Sequence, residues 1–174
     1  MADVFSGEDV KIYIDPTSGT STSFDVNTSQ TAYEVQTSMF SFNQSGGEFE
    51  TETKPLLGGA NIVIEKPATE VELEFEVAIK TDNPTFWDEL FYGSGLTSAT
   101  RGNDFTVGIE ATDSATGKKY QILYHNVKAV SFEKSVEAGE YLTGTLTLKL
   151  APTDENGNAN IKIGDDQNTV FDVI

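Results

Sequence analysis

Four oxygen-bearing side chains near the carboxyl end have the residue types and spacing that could bind a metal ion. They are Asp154, Asn156, Asn158 and Asp165. Their spacing is similar to that of the ligands in a calcium-binding loop. Ala159, however, stands where that loop needs glycine, and aspartate closes the pattern where glutamate is expected. The calcium pattern is therefore incomplete, and we expect the protein to bind no metal and no other cofactor.

Catalytic chemistry has no positive support in the sequence. The absence of cysteine excludes disulfides, cysteine nucleophiles and thiolate metal sites. His125 is the only histidine, and no serine near it lies on an elbow-like turn, which favours a structural role over that of a base. Carboxylates are numerous, but nothing singles out one pair for glycoside hydrolysis. We predict that the protein is not an enzyme.

The charge balance restricts the partners of the protein. A formal net charge of -17 opposes attraction to nucleic-acid phosphates and to anionic membrane surfaces. The same acidity is typical of proteins from a salty habitat, so a halophilic source is an open alternative. No run approaches the ~20 apolar residues that span a bilayer, and the amino end lacks the basic flank of an export signal. We therefore expect a chain kept in solution in the cytoplasm, with no membrane partner.

The alternation of apolar and polar residues along the chain predicts that the elements carrying the candidate side chains are mainly β-strands. The strand candidates are residues 10–14, 34–43, 48–54, 61–65, 69–80, 104–112, 119–124, 127–136 and 139–150. The alternation slips near Met39, as a β-bulge would cause. One helix is predicted at 83–92, where Asn83 can cap, Pro84 suits the first turn and Gly93 can end the helix. The sequence thus predicts one all-β domain over 1–174, a two-sheet sandwich or partly open barrel with one flanking α-helix.

Two segments are predicted to be irregular. Residues 17–29 are small and polar, which is typical of an exposed, mobile loop. Residues 152–174 form a polar loop, with turns at 154–160 and 164–166, and end on a strand-like segment at 169–174.

The strand at 69–80 has two chemically opposite faces, because side chains alternate along a strand. One face is apolar, and the other is a glutamate ladder formed by Glu70, Glu72, Glu74 and Glu76. The ladder could be the solvated face of a sheet. Alternatively, several copies could close a wide barrel whose lumen is acidic. Since adjacent ladders repel, closure would then depend on cross-strand lysine, on counterions or on neighbouring threonine and serine strands.

A long hairpin is predicted over residues 44–60, with polar arms and a glycine-rich tip. The tip contains Pro55, Leu56, Leu57 and Gly58. The two leucines could fold back onto their own core, or they could act as a hydrophobic contact for a neighbouring subunit. The second interpretation suits a hairpin whose arms have little to bury in a monomer.

Three segments in the carboxyl-terminal half carry a family resemblance. Residues 124–127, 131–138 and 141–147 combine a Ser-Phe-Glu-x-Ser strand, an Ala-Gly turn and a Tyr-Leu-x-Gly-Thr strand. The motif residues are Ser131, Phe132, Glu133, Tyr141, Gly144 and Thr145. This pattern resembles that of the major tail tube proteins of long-tailed, siphovirus-like viruses. Because the chain is acidic, the resemblance includes the tail tube protein of a haloarchaeal virus. The rest of the chain agrees in the order and type of its elements.

The resemblance implies a self-assembling structural protein. Its copies would form rings, typically hexameric, that stack into a viral tail tube for genome delivery, with the hairpin reaching the next ring. The expected partners are other copies, the tail terminator and tail-tip proteins, and DNA that passes without specific binding. The expected location is the virion tail, after assembly in the host cytoplasm.

Two alternatives stay open. One is a carbohydrate-binding β-sandwich module, with or without a dependence on calcium. An exposed tryptophan or tyrosine on a concave face would favour it. Trp87, the only tryptophan, falls in the predicted helix, where burial is expected. The other is a related injection-machine tube or capsid-surface protein, which shares the same physics of assembly.

Overall fold

The computed structural model describes residues 4–66, 68–93, 96 and 104–174. Its strands are β1 (Val10–Asp15), β2 (Ser23–Phe24), β3 (Tyr33–Glu34), β4 (Met39–Gly46), β5 (Thr51–Pro55), β6 (Asn61–Glu65), β7 (Val71–Ala78), β8 (Phe105–Thr112), β9 (Lys119–Ser135), β10 (Thr143–Leu150), β11 (Ile161–Asp165) and β12 (Asp172–Val173). The helix α1 is Phe86–Tyr92, and short 3-10 turns lie at Gly7–Asp9 and Gln36–Ser38. The described chain is therefore mostly β, as the sequence predicts.

One large antiparallel sheet organises the fold. Seven of its eight strands follow the order β3-β1-β8-β9-β10-β7-β4, and the eighth, β11, pairs with β9. The 17-residue strand β9 belongs to both parts of this sheet, because its first part pairs with β8 and β11 and its second part pairs with β10. We call β3, β1, β8, β11 and the first part of β9 the first half, and the rest the second half. The sheet is open and does not close into a barrel.

The main core consists of alternate side chains from strands of both halves. In the second half, the apolar positions of β7 and β10 are almost completely buried. They pack in one cluster with the apolar residues of β1 and β8 from the first half. The two halves thus share their core in the manner of a sandwich, and the predicted alternation on β7 and β10 is confirmed.

The helix α1 covers this core at one side. Trp87 and Leu90 are buried, and Gly93 ends the helix with a positive φ of 82° while its N–H donates to Glu89 O. The Asp88 carboxylate pairs with the Lys134 ammonium of β9 at 2.6 Å. The predicted helix is confirmed, but it starts at Phe86 rather than at residue 83, because the preceding residues form turns.

The segment predicted as an exposed loop over 17–29 differs from that prediction in its middle. Phe24 is fully buried and packs against Tyr13 and Phe171 at ring-centroid distances of 5.6 and 5.1 Å. Strand β2, which contains Phe24, pairs in parallel with β12 from the carboxyl end. The burial of one aromatic side chain outweighs the polar character of its neighbours and ties this segment to the first half.

Two other boundaries also differ from the prediction. The hairpin predicted over 44–60 consists of β5 and β6, so it spans 51–65. Residues 44–46 instead continue β4, where the Gln44 side chain accepts a hydrogen bond from Tyr124 Oη. The polar turn predicted at 164–166 contains the end of β11, because Gly164 and Asp165 pair with β9.

Gly144 gives the first testable prediction, because a side chain at this position has no room. A Cβ atom there would lie 2.3 Å from the Phe132 ring. We expect Gly144→Ala to lower the free energy of unfolding by about 1–3 kcal/mol through overpacking. Urea unfolding measures this difference, with Gly58→Ala as the matched control because its Cβ would meet nothing within 4 Å. Equal stability of the two variants would contradict the close packing of Phe132 on Gly144.

Candidate functional site

The second half of the sheet presents a continuous polar face on the side away from the core. It is four strands wide, in the order β9, β10, β7 and β4. The glutamate ladder of β7 lies in the middle of this face, since Leu73, Phe75 and Val77 point into the core and the intervening residues point outward. The structure therefore places Glu72, Glu74 and Glu76 together on one exposed surface.

The strand register separates these glutamates from other acidic residues. The neighbours on β10 are Lys149 for Glu72, Thr147 for Glu74 and Thr145 for Glu76. The neighbours on β4 are Ser45, Asn43 and Ser41 in the same order. No glutamate of the ladder is directly opposite another acidic residue on these two strands, so cross-strand repulsion within one copy is small.

Two polar contacts stabilise the ladder at its ends. Ser41 Oγ donates to Glu76 Oε2 at 3.3 Å, and Lys149 Nζ lies 3.7 Å from Glu70 Oε2. All of these groups are exposed or half-buried, so each contact contributes little to stability. The face as a whole is polar, mainly acidic and accessible to solvent, which is the chemistry expected of a surface that lines water.

Both lateral edges of the second half are free within the described residues. Strand β4 pairs only with β7, and residues 128–135 of β9 pair only with β10. Backbone N–H and C=O groups on such edges lack a partner strand and can pair with another chain. The polar face is thus bounded on each side by an edge that a second copy could extend.

The six motif residues fall on different surfaces of this half. Ser131 and Glu133 lie on the polar face, opposite Thr147 and Thr145 of β10. Phe132 points inward, packs against the core cluster and covers Gly144. Tyr141, by contrast, is 81% exposed in the turn before β10. The motif therefore maintains the packing of β9 on β10 and does not form a single binding site.

The hairpin of β5 and β6 projects from the end of the second half. Every residue of both strands is exposed, and within the described part of the chain the two hairpin strands pair only with each other. Its tip is a tight turn, in which the Leu56 N–H donates to Ala60 O and the Gly59 N–H to Leu56 O. Leu57 is fully exposed, and the apolar side chains of Ile62, Val63 and Ile64 are also open to solvent. The tip residues Pro55, Leu56, Leu57 and Gly58 thus have no core of their own to bury them.

A second surface with exposed apolar side chains, which sequence reasoning missed, lies at the end of the second half opposite the hairpin. It is a hollow of about 330 Å³ that includes Phe40, Val136 and Tyr141, each more than half exposed. A bulge between Met39 and Ser41 places Phe40 at this end of β4. The sequence signal was the break in alternation near Met39, which predicts the bulge but not its neighbours.

The structure uses the calcium-candidate side chains within separate turns. Asp154 Oδ1 accepts N–H bonds from Asn156 and Asn158 at 2.9 and 2.8 Å. Asp165 Oδ1 accepts the N–H groups of the next turn, from residues 167 and 168. Among the described residues, no group of three His, Cys, Asp or Glu side chains is placed to hold a metal ion.

His125 is a buried structural residue. Its Nε2 lies 2.8 Å from the Ser21 carbonyl oxygen, to which it donates in the neutral form. Burial lowers the pKa of His125 below its ordinary value of 6.5, and the Ser21 hydrogen bond opposes this only in part. The neutral side chain therefore ties the 17–29 segment to β9.

This shift predicts a pH dependence of stability. Because the pKa is lower in the folded state, the unfolded chain binds the proton more readily as the pH falls below 6.5. The contribution of neutral His125 to the free energy of unfolding is fully present above that pH, and it is lost as the pH falls towards the folded-state pKa. We expect the wild type to lose more stability than His125→Gln between about pH 7.5 and pH 5.5 in urea unfolding. An equal loss of stability in both proteins would contradict the assignment of this pH dependence to His125.

No helix in the part of the chain that the structure describes is long and apolar enough to cross a membrane.

An open β-sandwich with a polar, open-edged sheet and a projecting hairpin is thus the class of protein that this structure defines. Several solved structures share the fold. The tube-terminating cap of the anti-feeding prophage matches with a TM-score of 0.60 and 10% identity, over 94% of this chain and 93% of that chain. The anti-feeding prophage baseplate, 6-fold symmetrised, matches with a TM-score of 0.56 and 10% identity, over 94% and 97% of the two chains.

A third match comes from another assembly. It is the sheath-tube complex, in the extended state, of an extracellular contractile injection system, with a TM-score of 0.54 and 11% identity over 89% and 87% of the two chains. No protein-family model and no curated protein matches the sequence. At this level of identity the similarity establishes the shared fold.

Proposed function

We propose that this chain is a structural subunit that assembles into rings, and that the rings stack into a tube. The observation that carries the proposal is the polar, acidic face of the second half, bounded by two free strand edges. The shared fold with the prophage cap and with the sheath-tube complex supports it. Function then resides in assembly geometry, with no catalytic step.

Ring closure follows from edge-to-edge pairing. The β4 edge of one copy would pair with the β9 edge of the next, so that every polar face points to a common lumen. Six copies of four strands would give a barrel of roughly 24 strands, about 45–50 Å across between backbones. Such a barrel leaves a wide aqueous passage. Across each copy-to-copy junction the ladders are separated by the neutral side chains of β4 and by β9 and β10.

Stacking depends on the hairpin. Ten residues separate the end of β4 from Leu57, so the extended hairpin can reach about 30 Å beyond its own sheet. A hairpin of this length can contact the next ring, and burial of Leu56 and Leu57 there would compensate for their exposure in the monomer.

The context that we propose is the tail of a long-tailed, siphovirus-like virus, with a haloarchaeal host as the specific case that the acidity suggests. The tube would deliver the genome, DNA would pass without specific binding, and the partners would be other copies, a tail terminator and tail-tip proteins. Assembly would take place in the host cytoplasm. The tube of a contractile injection system is the second candidate, favoured by the fold of the sheath-tube match.

The carbohydrate-binding alternative cannot use Trp87 and depends instead on Tyr141, which is 81% exposed at a concave surface. Trp87 is buried, with its ring at 6.5 Å from Phe75 and 5.2 Å from Phe86 between ring centroids. It is therefore part of the core and unavailable as a platform for a sugar ring.

Electron microscopy of the purified protein tests the proposed function. We expect rings or tubes with a central hole in negative stain as salt is raised from about 0.05 to 2 M, because salt screens the repulsion between acidic copies. The images also give the ring symmetry. The experiment is also carried out with an added tail-tip initiator, because tube assembly could require a nucleating protein. Monodisperse particles at every salt concentration, with and without the initiator, would overturn the proposal and make glycan binding the next assay.

A further inference from the structure

We propose that the hollow formed by Phe40, Val136 and Tyr141 receives the Leu56–Leu57 tip of a second copy. This inference rests on the proposed function, because it assigns the receiving surface for the stacking contact. The partner is thus another molecule of this chain, and the interface is head-to-tail.

The hollow exposes side chains of the kind that are usually buried in a protein–protein contact. Phe40, Val136 and Tyr141 are 56%, 64% and 81% exposed, although all three are large apolar or aromatic side chains. They surround one concave surface instead of being scattered singly. A clustered apolar surface of this kind, with a polar rim, is typical of a protein interaction site.

The tip has the complementary shape and chemistry. Leu56 and Leu57 project from a tight turn, and Leu57 has no contact that shields it from solvent. A convex pair of leucines fits a concave surface that exposes Phe40, Val136 and Tyr141, and their contact would bury exposed apolar side chains from both ends of the molecule.

Charge complementarity points to the same pairing. The rim of the hollow carries Glu76, Glu137 and Glu140. Lys54 lies next to the tip on β5, is exposed, and has no ion-pair partner among the described residues. Lys66, which directly follows β6, is already paired with Glu52 at 3.9 Å. Docking would therefore place an unpaired cation beside an acidic rim, which also disfavours other orientations.

The topology makes the contact directional. The hairpin leaves the sheet where β4 ends at Gly46 and β7 begins at Val71. The hollow lies where β4 begins and β10 begins, at the far ends of the same strands. Tip and hollow thus lie at opposite ends of one molecule and cannot meet within it. A contact between unlike ends is heterologous, so along the axis of the tube it can repeat from ring to ring without closing on itself, as stacked rings require.

Site-specific crosslinking tests the pairing, and the absence of native cysteine makes the chain well suited to it. Leu57→Cys and Tyr141→Cys proteins are mixed and treated with a short bismaleimide. We expect the Leu57–Tyr141 product to exceed by roughly tenfold the product of Leu57→Cys with the control Ile163→Cys, whose side chain is exposed on β11. Tubes without the Leu57–Tyr141 product would overturn this inference and leave the proposed function intact.

The same measurement remains decisive if no tubes form. The product is then sought between subunits in concentrated solution, where its absence would overturn the pairing independently of the image data. A charge reversal gives a second readout. We expect Lys54→Glu to reduce the crosslinked product several-fold and Glu140→Lys to restore it in the mixed pair, whereas Lys11→Glu, a reversal on β1, should change nothing. Loss without restoration would contradict the ionic contact at the rim.

Discussion

Replacement of both tip leucines by aspartate is expected to abolish the stacking of rings while leaving the monomer fold unchanged. Leu56 and Leu57 are exposed in the isolated chain, so the double variant Leu56→Asp with Leu57→Asp loses no core packing. In a stacked tube each buried leucine would contribute about 1.5–3 kcal/mol, and every subunit of a ring would lose two of them. The aspartates would also have to leave water beside an acidic rim.

The measurement compares two quantities for the same protein. Urea unfolding should give the same midpoint as the wild type, and negative-stain images should show single rings in place of tubes. The matched control is Val4→Asp with Ile163→Asp, which removes two exposed apolar side chains away from the hairpin. Normal tubes from the leucine variant would remove the hairpin from the stacking mechanism, and a lowered unfolding midpoint would show that the leucines support their own core.

Strong local patterns made much of the fold predictable from sequence. The alternation along β7 and β10 predicts both their strand character and the side that is buried, because a one-residue shift would expose four apolar side chains of β7 or three leucines of β10. The break near Met39 predicts a bulge, and the shift in register between Met39 and Ser41 confirms it. Helix α1 is similarly indicated by Pro84 near its start and by the glycine that ends it.

Long-range pairing explains what the sequence could not provide. Strand β2 is two residues long and pairs with β12 from the other end of the chain, so no local pattern marks it. Strand β11 contains Lys162, Gly164 and Asp165, which locally favour a turn, and it exists because β9 offers a free edge. Single strands of this kind depend on a partner surface more than on their own propensity.

The candidate site could likewise be predicted in part, because some of its features are local in sequence and others depend on strand register. The residues of the glutamate ladder and of the leucine tip follow from the sequence alone. Their neighbours do not, because cross-strand register decides that Lys149 lies beside Glu72 and that threonines lie beside Glu74 and Glu76. The hollow was missed for the same reason, since it combines a bulge on β4 with the turn between β9 and β10.

The second prediction with a large expected effect concerns the charge of the proposed lumen. Glu72→Lys with Glu74→Lys is expected to leave rings and tubes intact, because both side chains point to solvent. The cost is that Glu72→Lys would face Lys149, a like-charge pair that lowers stability by less than about 1 kcal/mol. The interior of each ring would then change from repelling to attracting a polyanion. Tubes assembled with duplex DNA at low salt should retain on the order of tenfold more DNA than wild-type tubes, and this excess should vanish at high salt.

Nuclease treatment separates an internal from an external effect. DNA held inside the variant tubes should be protected. The control Glu8→Lys with Asp166→Lys changes the net charge equally at two exposed positions outside the second half, and it should bind only DNA that nuclease can digest. In an infectious particle, the lumen variant should slow genome passage because added lysines hold the phosphates that the native glutamates repel. Unprotected DNA and unchanged infectivity with the lumen variant would place the ladder on the outside of the assembly, and the face that lines the passage would then have to be sought elsewhere on the sheet.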